Sequence, residues 1–130
     1  DPMGPQAIFR MNLSGDRHLY EIPASTINIL GKKLPVCGGG YLRHSPLWYT
    51  SWVIRRLNKI NRPAVVYVHP WELDKMMPRV KGLTYFQKYR QYGTIPTLFK
   101  KLDRLLNEFE FCPAKRYIEW INKRPIGFDR

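Results

Sequence analysis

Ala64-Val65-Val66-Tyr67-Val68, followed by His69-Pro70, is the stretch on which the fold turns. Five short-range, mostly β-branched and apolar residues read as a strand buried on both faces. Pro70 removes a backbone donor and holds His69 extended, so the imidazole sits at the carboxyl end of that strand. The segment before it reads as a helix. Ser45 is placed to cap it and Pro46 to open it. Tyr49, Val53, Leu57 and Ile60 then recur at three and four residues, to about Asn61. Pro63 disfavours helix at the residue before it. A helix leading into such a strand predicts an α/β unit with parallel pairing.

Working outward, His18–Ile22 alternates polar and apolar and predicts a strand ended by Pro23. Thr26–Leu30 is a second β-prone run, stopped by Gly31. Gly38-Gly39-Gly40 permits positive φ and close backbone approach, which reads as a flexible loop or as one wall of a cleft. Beyond Gly82, Thr84–Tyr92 predicts a helix with Tyr85, Phe86 and Tyr89 on one side, ended by Gly93. Thr94 caps a further helix whose face is Leu98, Leu102, Leu105 and Leu106. Glu108–Phe111 alternates as a short strand. Pro113 opens a last helix with Tyr117, Ile118 and Ile121 inward. The expected organisation is an irregular segment over residues 1–17, one module over 18–122 and a tail over 123–130.

The 130 residues carry 22 Lys and Arg against 10 Asp and Glu, a formal charge of +12. Nucleic acid, an anionic polysaccharide and an acidic partner surface all fit that balance. The pairs Arg55-Arg56, Lys100-Lys101, Lys115-Arg116 and Lys123-Arg124 fall mostly opposite apolar helix positions, so solvated faces are the expected reading. With 44% hydrophobic and 14% aromatic residues, intrinsic disorder is excluded as the default state. No apolar run approaches the ~18 residues of a membrane span, and no signal peptide is expected. Cys37 and Cys112 read as two small thiols; a bridge between them stays open at this level.

The chemistry concentrates in Tyr67-Val68-His69-Pro70-Trp71-Glu72-Leu73-Asp74. In α/β folds ligands gather at the carboxyl ends of strands. A histidine there serves as general acid or base near neutral pH. Trp71 offers a flat apolar face suited to a sugar ring. The plainer alternative has His69 bonded to a loop and Trp71 in the core. Tyr41 and Arg43 are candidates for the same cleft, with Arg43 binding substrate oxygens or orienting a carboxylate. Glu72 and Asp74 either orient His69 or cap the following turn, capping being the expectation for Asp74.

Three blocks together carry a resemblance: Leu19-Tyr20-Glu21-Ile22-Pro23-Ala24-Ser25-Thr26, then Gly38-Gly39-Gly40-Tyr41-Leu42-Arg43, then Tyr67–Asp74 with Pro78-Arg79. From about Leu19 to Trp120 the chain resembles the C-terminal part of polysaccharide deacetylases with the NodB homology domain. It is most similar to the bacterial subgroup tied to exopolysaccharide and exosortase loci. The resemblance implies the C-terminal portion of a distorted (β/α) barrel and metal-dependent removal of acetyl groups from N-acetylated sugars. In such enzymes a divalent metal, commonly zinc, is held by N-terminal motifs. A histidine of the last motif protonates the leaving amine. His69 matches that histidine, and Tyr67 stands where the family's acetyl-pocket leucine stands. The implied glycan groove includes Tyr67, Trp71, Tyr41, Arg43 and Glu72.

The sequence departs from that pattern at Tyr67 and at Pro70, and no Asp-Asp pair or His-x-x-x-His occurs in it. A zinc hydrolase needs three protein ligands and an open water position. This chain is therefore expected to hold no metal and to be inactive by itself. Its expected partners are an N-acetylated polysaccharide and an N-terminal part of the same protein, in a bacterial cytoplasm or periplasm. Strands cut from a closed sheet leave open edges, so a homo-oligomer through the Ala64–Val68 edge is also expected. The alternative reading is a non-catalytic basic module for an anionic polymer, polysaccharide or nucleic acid.

Overall fold

The computed structural model describes residues 8–123. Two small antiparallel sheets come first. In one, β1 (Phe9–Asn12) pairs with β2 (His18–Glu21), Phe9 opposite Glu21 and Asn12 opposite His18. In the other, β3 (Thr26–Ile29) pairs with β4 (Lys32–Pro35), Thr26 opposite Pro35 and Ile29 opposite Lys32. The two-residue turn Leu30-Gly31 has φ of 51° and 77°. Two positive φ values give the twist that matches antiparallel strands. Residues 9–12 thus form a strand within the segment expected to be irregular. Their ladder partner is the adjacent strand β2, joined to them by residues 13–17.

The helices follow: α1 (Gly39–His44), α2 (Leu47–Lys59), α3 (Tyr85–Tyr92), α4 (Ile95–Glu108) and α5 (Ala114–Asn122). Thr84 caps α3, accepting the Gln87 N–H while the Gln87 side chain accepts the Thr84 N–H at 2.9 Å. On α2 the cap is Pro46, because Ser45 is already spent closing α1. Thr50, Ser51, Val53, Ile54 and Leu57 form its buried stripe, and Ile60 lies outside it. Leu98 and Leu105 are buried on α4, whereas Leu106 faces solvent one step round the helix. The expected strand at Glu108–Phe111 is absent. Glu108 ends α4 and accepts a hydrogen bond from Ser51 Oγ at 2.8 Å, with Arg55 on its other oxygen.

One core joins these parts. Ile27, Val36, Cys37, Leu42, Val53, Ile54, Leu57, Leu98 and Leu105 are buried together, with Ala64, Val66 and Val68 packed against them. The architecture is mixed α/β. The parallel sheet expected around Ala64–Val68 is reduced to one bridge, Gly38 with Tyr67. The segment is extended, but Ala64, Val65, Val66 and Val68 are half-buried and Tyr67 is exposed, with a cavity against residues 64–66. Both cysteines are free thiols, Cys37 buried and Cys112 exposed.

Candidate functional site

The site is built from the end of the extended segment. In an extended chain every second side chain points the same way. Tyr67 and His69 therefore share a face, and the 3-10 turn that begins at Pro70 brings Trp71 alongside His69. The Tyr67 and His69 rings meet edge-on at 5.9 Å, and His69 stacks on Trp71 at 6.2 Å with planes 7° apart. His69 is exposed, and Tyr67 is 44% exposed. The result is a ladder of three rings, Tyr67 and His69 exposed and Trp71 half-buried.

The glycine triplet supplies the floor and does not form a loop. Gly38 opens α1, and its Cα hydrogens lie under the Tyr67 ring: a Cβ on Gly38 would fall inside that ring. Gly39 has φ +47°, and a Cβ there would stand 4.0 Å from His69 Nε2. Hydrogen bonds fix the approach. The Tyr67 N–H donates to Cys37 O at 3.3 Å, and Gly39 N–H donates to Tyr67 O at 3.2 Å. Of the two readings of the triplet, this geometry corresponds to a wall beside His69.

Beneath the rings lies a charged anchor. Pro70–Glu72 forms a single 3-10 turn. Glu72 is 1% exposed, and its carboxylate accepts the His69 N–H at 3.0 Å. Arg43, 6% exposed, sends Nε toward Glu72 at 3.7 Å. Its other nitrogens donate to Gln91 O at 2.8 Å and Arg90 O at 2.7 Å, the last turn of α3. The guanidinium also lies 5.0 Å from the Trp71 ring centre. Burial pulls the Arg43 pKa below its ordinary value, with Glu72 acting the other way. A planar fork with a countercharge and two carbonyls stays ionised there. Arg43 thus ties α1, α3 and the His69 turn together.

The structure therefore brings together Tyr67, His69, Trp71, Glu72 and Arg43, with the last two beneath the rings. Tyr41 stands apart. It is 56% exposed and lines a hollow with Arg43, His44, Ser45, Arg90 and Gln91, which none of the three rings lines. Asp74 accepts the Met76 N–H at 2.8 Å and so stabilises the turn after the site.

Sequence reasoning missed Lys101. Its ammonium donates to the carbonyls of Leu42 and Ser45, at the C-terminal end of α1, where a cation meets the helix dipole favourably. Burial lowers its pKa from 10.5 to about 8, with Cys37 opposing the shift. The signal was present: Lys101 lies three residues after Leu98 and four before Leu105, on the buried stripe.

Among the described residues no group of three His, Cys, Asp or Glu stands together to hold a metal ion. No helix among them is long and apolar enough to cross a membrane. Compared with known proteins, residues 1–119 match the family described as Domain of unknown function (DUF3473), and the chain belongs to it. No curated protein and no solved structure matches the chain.

Proposed function

We propose, for this member of the DUF3473 family, that it is the C-terminal segment of a polysaccharide deacetylase of the distorted (β/α) barrel type. In this reading it supplies the general acid and part of the glycan groove. The observation that supports it is the exposed His69 imidazole, stacked on Trp71 at 6.2 Å and held at its backbone by a buried carboxylate at 3.0 Å. The divalent metal of such an enzyme would polarise the acetamide carbonyl and its water. In this reading the residues that would hold the metal lie on an N-terminal part of the protein.

His69 then performs the remaining step. An amine is a poor leaving group until protonated. An imidazolium at the strand end gives its proton to the departing nitrogen, and water from the next cycle restores it. Trp71 and Tyr67 present apolar ring faces to a sugar, which orients the acetamido group toward His69. Glu72 and Arg43 act on the position of His69 and make no contact with the sugar.

The test is a titration of the chain with tetra-N-acetylchitotetraose, followed by NMR of the histidine and tryptophan rings. Saturable shifts of His69 and Trp71, lost with the deacetylated tetramer, are expected. Unmoved rings would overturn the proposal.

A second reading has its own support in the +12 charge and the exposed Trp48, Tyr85 and Phe86 rings. A polyanion-binding module would bind heparin or single-stranded nucleic acid with an affinity that falls steeply between about 0.05 and about 0.5 M salt. Binding of a neutral acetylated oligomer is insensitive to salt over that range.

A further inference from the structure

Helix α2 buries one side and shows the other to solvent. Thr50, Ser51, Val53, Ile54 and Leu57 make the buried side. At 3.6 residues per turn, Trp48, Trp52, Arg55, Arg56 and Lys59 fall within about 100° of one another on the opposite side. All five are exposed, Trp48 by 71% and Trp52 by 42%. The two indoles occupy the N-terminal half of this stripe and the three cations the C-terminal half. Helix α2 contains no Asp or Glu. Arg55 pairs with Glu108 of α4, whereas among the described residues Arg56 and Lys59 have no ion pair. The Arg56 guanidinium lies 5.8 Å from the Trp52 ring centre. The His69 site uses none of these side chains.

We propose that this face of α2 docks on an anionic lipid bilayer. The outer side of a single helix is convex and gives a polymer strand no groove to follow. A planar surface matches it. An indole has an apolar body and a donor N–H, and the headgroup layer of a bilayer satisfies both. The cations meet the negative leaflet surface, where each is worth about fivefold in binding. Their long stems keep the charged heads at the phosphates while the rings go deeper. Glu108, the acid paired on this face, is already neutralised by Arg55, and the +12 chain adds attraction of the same sign at longer range. This inference does not depend on the deacetylase reading, because it uses neither His69 nor a sugar.

The experiment sediments the intact chain with vesicles of phosphatidylcholine alone, or with about 30% phosphatidylserine, at about 0.1 M salt. A second readout is quenching of tryptophan fluorescence by brominated acyl chains. Binding to the anionic vesicles is expected to be at least about tenfold tighter than to the neutral ones, with quenching. Trp48→Ala with Trp52→Ala should weaken it at least about tenfold and remove the quenching. Should that pair unfold, Trp48→Ala alone, at the more exposed ring, should still weaken binding at least about threefold. Arg56→Glu with Lys59→Glu should weaken it at least about twentyfold. Lys81→Glu with Lys88→Glu, the same charge change at exposed positions before and on α3, should weaken it less than about threefold. Four results would overturn the proposal. One is no binding to anionic vesicles. Another is equal loss from the two charge reversals, which would mean that net charge alone attracts the chain. A third is quenching that persists without Trp48 and Trp52, which would put another face on the bilayer. The fourth is heparin binding that depends on both indoles while vesicle binding does not, which would assign the stripe to a soluble polyanion.

Discussion

The Glu72 carboxylate reaches back three residues to accept the His69 backbone N–H at 3.0 Å, while its other oxygen faces Arg43 Nε at 3.7 Å. A single buried acid therefore fixes the start of the turn and neutralises the guanidinium that ties α1 to α3. Removing it strands a buried cation. Glu72→Ala is expected to cost about 3 kcal/mol, and Glu72→Gln, which keeps an acceptor for His69, about half as much. Urea unfolding measures both. Equal losses would mean that the charge on Glu72 is irrelevant.

Gly38 and Tyr67 form a second dependent pair. A methyl group on Gly38 has no room while the Tyr67 ring is in place. Gly38→Ala should destabilise the chain by about 2 kcal/mol, and the same change in a Tyr67→Ala background should cost well under half of that. Additive losses in this double-mutant cycle would place the constraint elsewhere.

Lys101 and Cys37 make stability depend on alkaline pH in opposite senses. The folded Lys101 pKa of about 8 lies below its ordinary 10.5. Between those values the unfolded chain holds more protons, so stability rises with pH. Burial raises the Cys37 thiol from 9.0 to about 11, Lys101 working against it. Between those values the folded chain holds more protons, and stability falls. Wild-type stability should rise from about pH 8 to about pH 9 and then be offset by Cys37. The difference between wild type and Lys101→Met, in which the Cys37 titration is shared, should grow throughout. In a Cys37→Ala background stability should keep rising to about pH 10.5, by on the order of 1 kcal/mol after solvent screening. Denaturant midpoints at stepped pH decide it. A pH-independent difference would contradict the Lys101 placement.

The same residues show what a sequence reveals and what it withholds. The stripes of α2 and α4 are local, and Val53, Leu57, Leu98 and Leu105 are buried as their spacing indicates. The capping box of α3 is equally local. Extension at Ala64–Val68 and the shared face of Tyr67 and His69 follow from alternation, whereas Trp71 reaches His69 through the 3-10 turn after Pro70. Partners are not local. That Val65 meets a serine forty residues away, and that Gly38 bridges to Tyr67, depends on contacts no window contains. Arg43 reads as a cleft residue and Lys101 falls on a buried stripe, yet nothing nearby in sequence discloses the carbonyls they meet. The glycine triplet suggested looseness, yet it starts a helix because the Tyr67 ring needs the space that side chains would take.

The central claim is that His69 donates the proton that releases the amine. The direct measurement is acetate release from an N-acetylated glycan by the polypeptide that joins this chain to the metal-carrying part, with metal content determined alongside. His69→Ala should lower kcat by about 10²–10⁴-fold with metal content unchanged. Unchanged turnover in that variant would contradict the account.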